Sequence, residues 1–386
     1  MINSVLVFTS TRADYGILYP LLKALQGEQK LQLKILTSGT HLSKRFGNTY
    51  QEIEKDGFKI DAKVDILSQD NSQYGVVKNL AQAIDKYNDE LFRIKPDLLI
   101  LLGDRYEALA MAQCAYIHHI PVLHLHGGEV TSGAYDDGFR HSITKLSHYH
   151  CVANETYRQR VIQLGEAPDR VFNTGALGID HIKQQPLISN LELSGVFDFD
   201  FSTPFFLITY HPETLSRDSP LLGVEALLTA LSAYPDIKMV MTYPNVDHGG
   251  QDIIDRLKEF SHSNKNRVLL IESLGHRYYH SVVKLSELVI GNSSSGIIEV
   301  PALGVPTINI GTRQQGRLRA KSVIDTPLDS VSIKQAIDLG LSAEFRQDKS
   351  RYNNPYGDGH ASEKIIKIIR KMNPSKMKIF YDIKVS

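Results

Sequence analysis

Leu98-Leu99-Ile100-Leu101-Leu102-Gly103-Asp104-Arg105 is five unbroken aliphatic residues followed at once by a glycine, a carboxylate and a guanidinium. A run that is apolar on both faces suits a parallel strand covered by helices on each side, where strict alternation would suit a half-exposed one. The same grammar recurs along the chain. Val5–Phe8, Leu33–Leu36, Val122–Leu125, Phe205–Thr209, Met239–Thr242, Val268–Ile271, Leu288–Ile290 and Thr307–Ile310 all read as buried strands. Between them Tyr15–Leu25, Val76–Phe92 and Ile253–Phe260 carry helical spacing. Strand, helix, strand in alternation predicts doubly wound, Rossmann-like α/β units.

With 386 residues and a norm of roughly 100–200 per domain, two such units are expected. The alternation weakens across Gln184–Thr203, which holds Pro186, Ser189, Asn190, Ser194, Gly195 and Pro204 at its far edge. A junction there gives an N-terminal domain over 1–183 and a C-terminal domain over 184–360, facing each other across a cleft. The amphipathic stretch Glu363–Met372 predicts a tail helix, and residues 361–386 are assigned as a C-terminal helix rejoining the first domain.

Composition narrows the function classes. Lys+Arg 43 against Asp+Glu 43 leaves a formal net charge of +0, so there is no basic surface to favour a nucleic-acid partner. No stretch approaches the roughly 20 apolar residues of a membrane span. The start, Met1-Ile2-Asn3-Ser4, lacks the basic region and cleavage site of a secretory signal. Cys114 and Cys151 form no CxxC pair, and a disulfide framework is not expected. A cytoplasmic location follows as the expectation. No GxGxxG, P-loop or GxSxG pattern is present, which speaks against nicotinamide redox chemistry, P-loop phosphoryl transfer and an α/β-hydrolase.

The informative residues are those just beyond the strands, because open α/β sheets bind ligands outside the carboxyl ends of their strands. Val5–Phe8 runs into Thr9-Ser10-Thr11-Arg12-Ala13-Asp14, and Val122–Leu125 into His126-Gly127-Gly128-Glu129. Phe205–Thr209 runs into Tyr210-His211-Pro212-Glu213, and Leu288–Ile290 into Gly291-Asn292-Ser293-Ser294-Ser295-Gly296. The last of these predicts the start of a helix over Ile297–Leu303, with free N–H groups and hydroxyls suited to a diphosphate; an ordinary serine N-cap would look the same. Asp104, Glu129, Asp136 and Asp137, with His124, His126 and His141 nearby, supply acid/base groups without requiring a metal. Arg313, Arg317 and Arg319 could add positive charge to a leaving group. Asp198-Phe199-Asp200 matches a metal–diphosphate pattern but precedes a strand, and His148, His150 and Cys151 lack a fourth ligand. No metal and no cofactor are expected.

The ordered set of motifs resembles the hydrolysing UDP-N-acetylglucosamine 2-epimerases. Thr11–Gly16, Gly103–Glu107, His126–Glu129, Tyr135–Asp137 with Arg140–Lys145, His211–Glu213, Gly291–Gly296 with Glu299, and Gly311–Gln314 carry the likeness, from about Ser10 to Asp325. The resemblance implies a glycosyltransferase-B-like fold and a homodimer or homotetramer. It implies conversion of UDP-N-acetylglucosamine and water to UDP and N-acetylmannosamine, through elimination to a glycal and hydration, early in a sialic-acid-type pathway. By motif, Asp104 and Asp136 match acid/base positions, and Arg12 and Arg105 line the sugar and phosphate site. His211, Ser293, Ser294, Glu299 and Arg313 match the UDP site. Many relatives place a glutamate where this chain has His126, so either His126 or Glu129 takes that role; histidine titrates near neutrality, which suits proton transfer. The same reaction on a UDP-2,4-diacetamido-2,4,6-trideoxyhexose, a glycosyltransferase of this architecture, a non-catalytic sugar-nucleotide sensor and a non-hydrolysing epimerase are the alternatives, the last set against His211-Pro212-Glu213, which resembles the hydrolysing group.

Overall fold

A computed structural model describes residues 2–383 except 71, 132–134, 185, 213–220, 245–248 and 375–376, with the backbone alone at 184 and 276. The chain divides into two compact units. One comprises Met1–Glu129, Asp136–Gln184 and Tyr356–Ser386; the other comprises Val130–Tyr135 and Gln185–Pro355.

In the first unit seven strands form one sheet in the order β3-β2-β1-β4-β5-β6-β7. They are β1 Ser4–Thr9, β2 Gln32–Ser38, β3 Ala62–Val64, β4 Leu98–Leu102, β5 Val122–Leu125, β6 Tyr149–Val152 and β7 Val171–Asn173. Every pairing is parallel. Successive side chains of a strand point to opposite faces, and the aliphatic runs feed two cores accordingly. Val5, Val7, Leu98, Ile100 and Leu102 join one cluster, while Leu6, Phe8, Leu99 and Leu101 join the other. The sheet is therefore covered on both sides, as its unbroken apolar strands require.

The helix Ala361–Lys371 lays Ala361, Ile365, Ile366 and Ile369 into the first of these cores. Each of the three buried isoleucine side chains stabilises the docking by about 1.5–3 kcal/mol. Its N-cap residue, His360, makes no side-chain cap bond. The buried carboxylate of Asp180 substitutes: it accepts from Ala361 N at 2.8 Å and Ser362 N at 2.6 Å, and from the Ser362 hydroxyl. A negative charge on free N–H groups at a helix start is favourable through both hydrogen bonding and the helix dipole. Asp180→Ala should destabilise the first unit by about 2–3 kcal/mol, read as a lower urea midpoint with the slope unchanged. An unshifted midpoint would show that the helix is held by its apolar face alone.

The second unit repeats the plan with six parallel strands in the order β10-β9-β8-β11-β12-β13. These are β8 Phe205–Thr209, β9 Lys238–Thr242, β10 Val268–Ile271, β11 Leu288–Gly291, β12 Thr307–Ile310 and β13 Val323–Thr326. Both sheets reverse strand order next to their first strand, between β1 and β4 and between β8 and β11. Such switch points open the crevice at the strand ends where ligands sit.

Several elements differ from the expectations. The C-terminal helix expected over 361–386 stops at Lys371, two residues short of the Asn373-Pro374 pair that disfavours helical backbone. The single helix expected over Ile297–Leu303 is an α-turn Ser294–Ile298 followed by a 3-10 turn Val300–Leu303, because Pro301 lacks the N–H an α-helix would need there. The junction 184–203 contains a helix of its own, Asn190–Phe197, capped by Ser189.

Candidate active site

In the first unit the ends of β1, β4 and β5 gather the ionisable groups. Thr11 caps the helix Arg12–Gln26 by accepting from Asp14 N at 3.1 Å. That turn brings the Asp14 carboxylate back to the Ser10 hydroxyl at 3.1 Å. Burial pushes the Asp14 carboxyl above its usual range; Arg105 and the hydrogen bonds from Thr11 and Ser10 oppose this, and Asp104 adds to it. Asp14, Asp104 and Arg105 are thus one electrostatic neighbourhood. Asp104 in turn forms an ion pair with Arg140, a residue only 2% exposed. Arg140 sits on the helix Asp136–Leu146, one turn after Asp136, and lies 3.8 Å from Asp137. His141 approaches Asp137 at 3.6 Å; burial lowers its pKa, with Asp137 opposing. Asp136 is the first residue of that helix.

A second acid/base group lies past β5. His126 holds a left-handed backbone, φ 61, uncommon for a residue with a Cβ and typical of functional turns. That turn sets its Nδ1 2.8 Å from the Glu129 carboxylate. Glu129 is 2% exposed, and the His126 Nε2 atom is buried with no hydrogen-bond partner among the described residues. A carboxylate on one ring nitrogen fixes the tautomer and leaves the other nitrogen able to take or give a proton, the orienter-and-base geometry that general acid–base catalysis uses.

The other candidates of this unit sit differently. Arg12 pairs with Glu52 at 2.7 Å, and Arg105 lies 3.5 Å from the buried carboxylate of Glu107. His124 is a core histidine: its ring atoms meet the Gly103 carbonyl at 2.7 Å and the Thr144 hydroxyl at 3.1 Å, and burial lowers its pKa to about 3. His150 on β6 faces Glu166 at 3.1 Å, and His148 Nδ1 accepts from Val122 N.

In the second unit Asn292 organises the ends of β8 and β11. Its side chain accepts from His211 N at 2.7 Å and donates to His211 O at 2.8 Å. Its own carbonyl accepts from Gln314 Nε2 at 2.8 Å and Arg313 Nη1 at 3.3 Å. One fully buried amide thereby ties together His211, Arg313 and the serine turn. Ser293 occupies the N-cap position of Ser294–Ile298 but makes no side-chain cap bond. Its hydroxyl meets the Ser295 hydroxyl at 3.1 Å, which meets the Tyr279 hydroxyl at 2.6 Å. The cap reading of these serines is therefore not the bonding found. Glu299 bonds His280 at 2.9 Å.

Two of the arginines are structural. Arg317 donates to the Val130 carbonyl and the Thr131 hydroxyl, and Arg319 pairs with Asp325 and donates to the Gln314 carbonyl. Asp198 is the left-handed C-cap of its helix, and Asp200 bonds Ser202 and Lys238. Glu213 lies outside the described residues. Among the described residues no group of three His, Cys, Asp or Glu side chains is arranged to hold a metal ion, and no helix is long and apolar enough to cross a membrane.

Asp14, Arg140 and Asn292 stood inside the quoted motifs without a role of their own, and Tyr279 and His280 were not singled out at all. Arg140 was legible as the residue one helical turn after Asp136, and Asp14 as the residue three after a threonine cap. The pairing of Asn292 with a distant strand end left no local mark.

Residues 23–370 match the model of a family described as UDP-N-acetylglucosamine 2-epimerase. The chain is 38% identical over 369 residues to the GDP/UDP-N,N'-diacetylbacillosamine 2-epimerase (hydrolyzing) of Campylobacter jejuni, covering 96% of this chain and 95% of that protein. It is 37% identical over 385 residues to the polysialic acid biosynthesis protein P7 of Escherichia coli, covering 99% and 98%. Among solved structures it is similar to the UDP-GlcNAc 2-epimerase from Neisseria meningitidis bound to UDP-GlcNAc, with TM-score 0.80, 21% identity and coverage of 96% of this chain and 100% of that one. The last is a likeness of fold.

Proposed function

Because this chain belongs to the UDP-N-acetylglucosamine 2-epimerase family, we propose that it converts UDP-N-acetylglucosamine and water to UDP and N-acetylmannosamine. Its activity class is that of a UDP-sugar 2-epimerase of the hydrolysing type, like the relatives it matches over nearly its whole length. The observation that carries the reading is the pair of separate acid/base groups in the first unit: Asp104 with Arg140 and Asp137, on the helix that Asp136 begins, and His126 with Glu129.

Two groups are what the chemistry needs. The C2 proton of an N-acetylhexosamine is too weakly acidic for direct removal near neutrality. Departure of UDP builds oxocarbenium character at C1 and acidifies C2–H. Arg313, His211 and the turn at Ser293-Ser294, with Glu299 alongside, take the UDP, and positive charge there stabilises the negative charge that develops on it. Asp104 faces the positive ring, with Arg12 and Arg105 holding sugar and phosphate. A base removes the C2 proton, the C1–C2 double bond of a glycal forms, water adds at C1, and a second group returns a proton to the other face of C2. His126 backed by Glu129 serves as one of these, and Asp136 or Asp104 as the other.

Glu129→Gln should then lower kcat by about 10²-fold, since a neutral amide no longer faces the ring on which the proposed proton transfer places positive charge, while KM shifts little. Steady-state kinetics at pH 7 decide it, and an unchanged kcat removes Glu129 from the account. A second sugar is favoured by the Campylobacter jejuni relative: a UDP-2,4-diacetamido-2,4,6-trideoxyhexose. Comparing kcat/KM for the two nucleotide sugars by UDP release tests the choice. A ratio above about tenfold, or 1.4 kcal/mol, for UDP-N-acetylglucosamine supports the first reading, and the reverse ratio replaces it.

A further inference from the structure

The helix Asp136–Leu146 carries Asp136, Asp137, Arg140 and His141 at its start. Its far end is held by a segment over 200 residues later in sequence. Lys378 Nζ donates to the carbonyls of Ser147 at 2.6 Å, Lys145 at 2.8 Å and Thr144 at 3.2 Å, and pairs with Glu166 at 2.6 Å. The last carbonyls of a helix have no partner within it, and a cation there also meets the negative end of the helix dipole. Lys378 is 11% exposed at its side chain, so water does not replace it readily.

The flanking residues fix the segment in place. Tyr381 N donates to Gly165 O at 2.9 Å, Arg170 reaches the Met377 carbonyl, and the Tyr149 hydroxyl donates to the Asn373 carbonyl at 2.6 Å. The Phe380 ring lies so close to Gly165 that a Cβ there would come within 2.3 Å of it, and the Lys145 ammonium sits over the same ring at 4.8 Å from its centroid. Beneath the ammonium, Glu166 also binds Lys145 at 2.7 Å and His150 at 3.1 Å.

We infer that the C-terminal segment 377–383 is a strap that fixes the helix Asp136–Leu146 from behind, and that Lys378 is a positioning residue for the reaction assigned above, on which this inference rests. The helix has 11 residues and so spans about 16 Å. Releasing one end lets the other drift, and a displacement of about 1 Å at reacting groups costs on the order of 10²-fold in rate.

The charge on Lys378 makes this testable by pH. Burial lowers its pKa to about 8, against the pull of Glu166, with Lys145 and Arg170 adding to the lowering. Glu166, for its part, would be raised by burial, but His150, Lys378 and Lys145 hold it down at about 2, so it stays charged across the range. His150, lowered by burial, does not change there either. Above pH 8 the strap loses its cation. The unfolded chain keeps that proton up to about 10.4, so as pH rises across this interval the contribution of Lys378 to folding stability rises. Deprotonation of Lys378 is therefore not in itself a loss of fold.

The experiment uses the full chain and first establishes UDP release by the wild type; its absence would sink the assigned reaction and not the strap. Lys378→Met should lower kcat by about 10–100-fold with KM within about threefold. Wild-type kcat should fall as pH rises through about 8, and Lys378→Arg, which stays protonated, should remove that fall. A Lys378→Met protein with wild-type kcat overturns the inference. If that variant does not fold, Lys378→Arg decides alone: an alkaline fall that persists unchanged overturns the inference, and its disappearance supports it.

Discussion

Asp104→Asn should retain UDP binding and lose about 10²–10⁴ of kcat, the usual range for removing one general acid/base or charge-stabilising group. Asparagine keeps an oxygen that can accept from Arg140, so the fork between the end of β4 and the helix Asp136–Leu146 survives. What disappears is the negative charge that, in the proposed reaction, would oppose the oxocarbenium ring. Arg140 is almost wholly buried and reaches Asp137 only at 3.8 Å, so part of its compensation goes too, and a modest fall in melting temperature accompanies the kinetic loss. UDP release under saturating substrate measures the first effect, and calorimetric titration with UDP measures binding. A variant that turns over near the wild-type rate, or one that no longer binds UDP, contradicts the role given to Asp104.

The second large effect comes from one methyl group. Gly291 ends β11 with φ 139, backbone that L residues rarely adopt. An added Cβ would stand 1.9 Å from the Thr209 carbonyl oxygen on β8, far inside van der Waals contact. The pair β8–β11 is the switch point of the second sheet, and just beyond its ends lie His211 and Asn292, which bond each other twice. Gly291→Ala therefore has to part the two strands or twist the turn. We expect a cost on the order of 4 kcal/mol to the second unit, in the range kept for backbone strain and broken buried networks. Loss of UDP binding follows even at temperatures where the protein stays folded. Thermal unfolding and UDP titration of the purified variant test both parts, and an alanine variant that binds UDP normally would show that the His211–Asn292 link tolerates movement.

The strands were legible because they are buried on both faces. Leu98–Leu102, Val122–Leu125 and Phe205–Thr209 begin and end where their apolar runs do. Ala62–Val64, Val171–Asn173 and Val323–Thr326 were not, because they are short and lie at or near the sheet edges, where Lys63, Asn173 and Asp325 expose polar side chains and break the signal. The candidate residues stood out by the rule that a sheet collects its chemistry at the carboxyl ends of its strands. What each one bonds was hidden. Arg317 and Arg319 look like free cations in sequence, yet their partners are Val130, Thr131, Gln314 and Asp325. Lys378 lies in the stretch expected to continue the C-terminal helix, and its role comes from carbonyls and a carboxylate more than 200 residues away. Long-range pairing leaves no local spacing to read.

The central claim is that the sugar–diphosphate bond breaks and C2 is inverted through loss and return of its proton. Incubation of the full chain with UDP-N-acetylglucosamine in D₂O, followed by proton NMR, tests it most directly. The account predicts UDP together with free N-acetylmannosamine that carries deuterium at C2. N-acetylmannosamine that keeps its original C2 proton, or UDP released with N-acetylglucosamine of unchanged configuration, would contradict it.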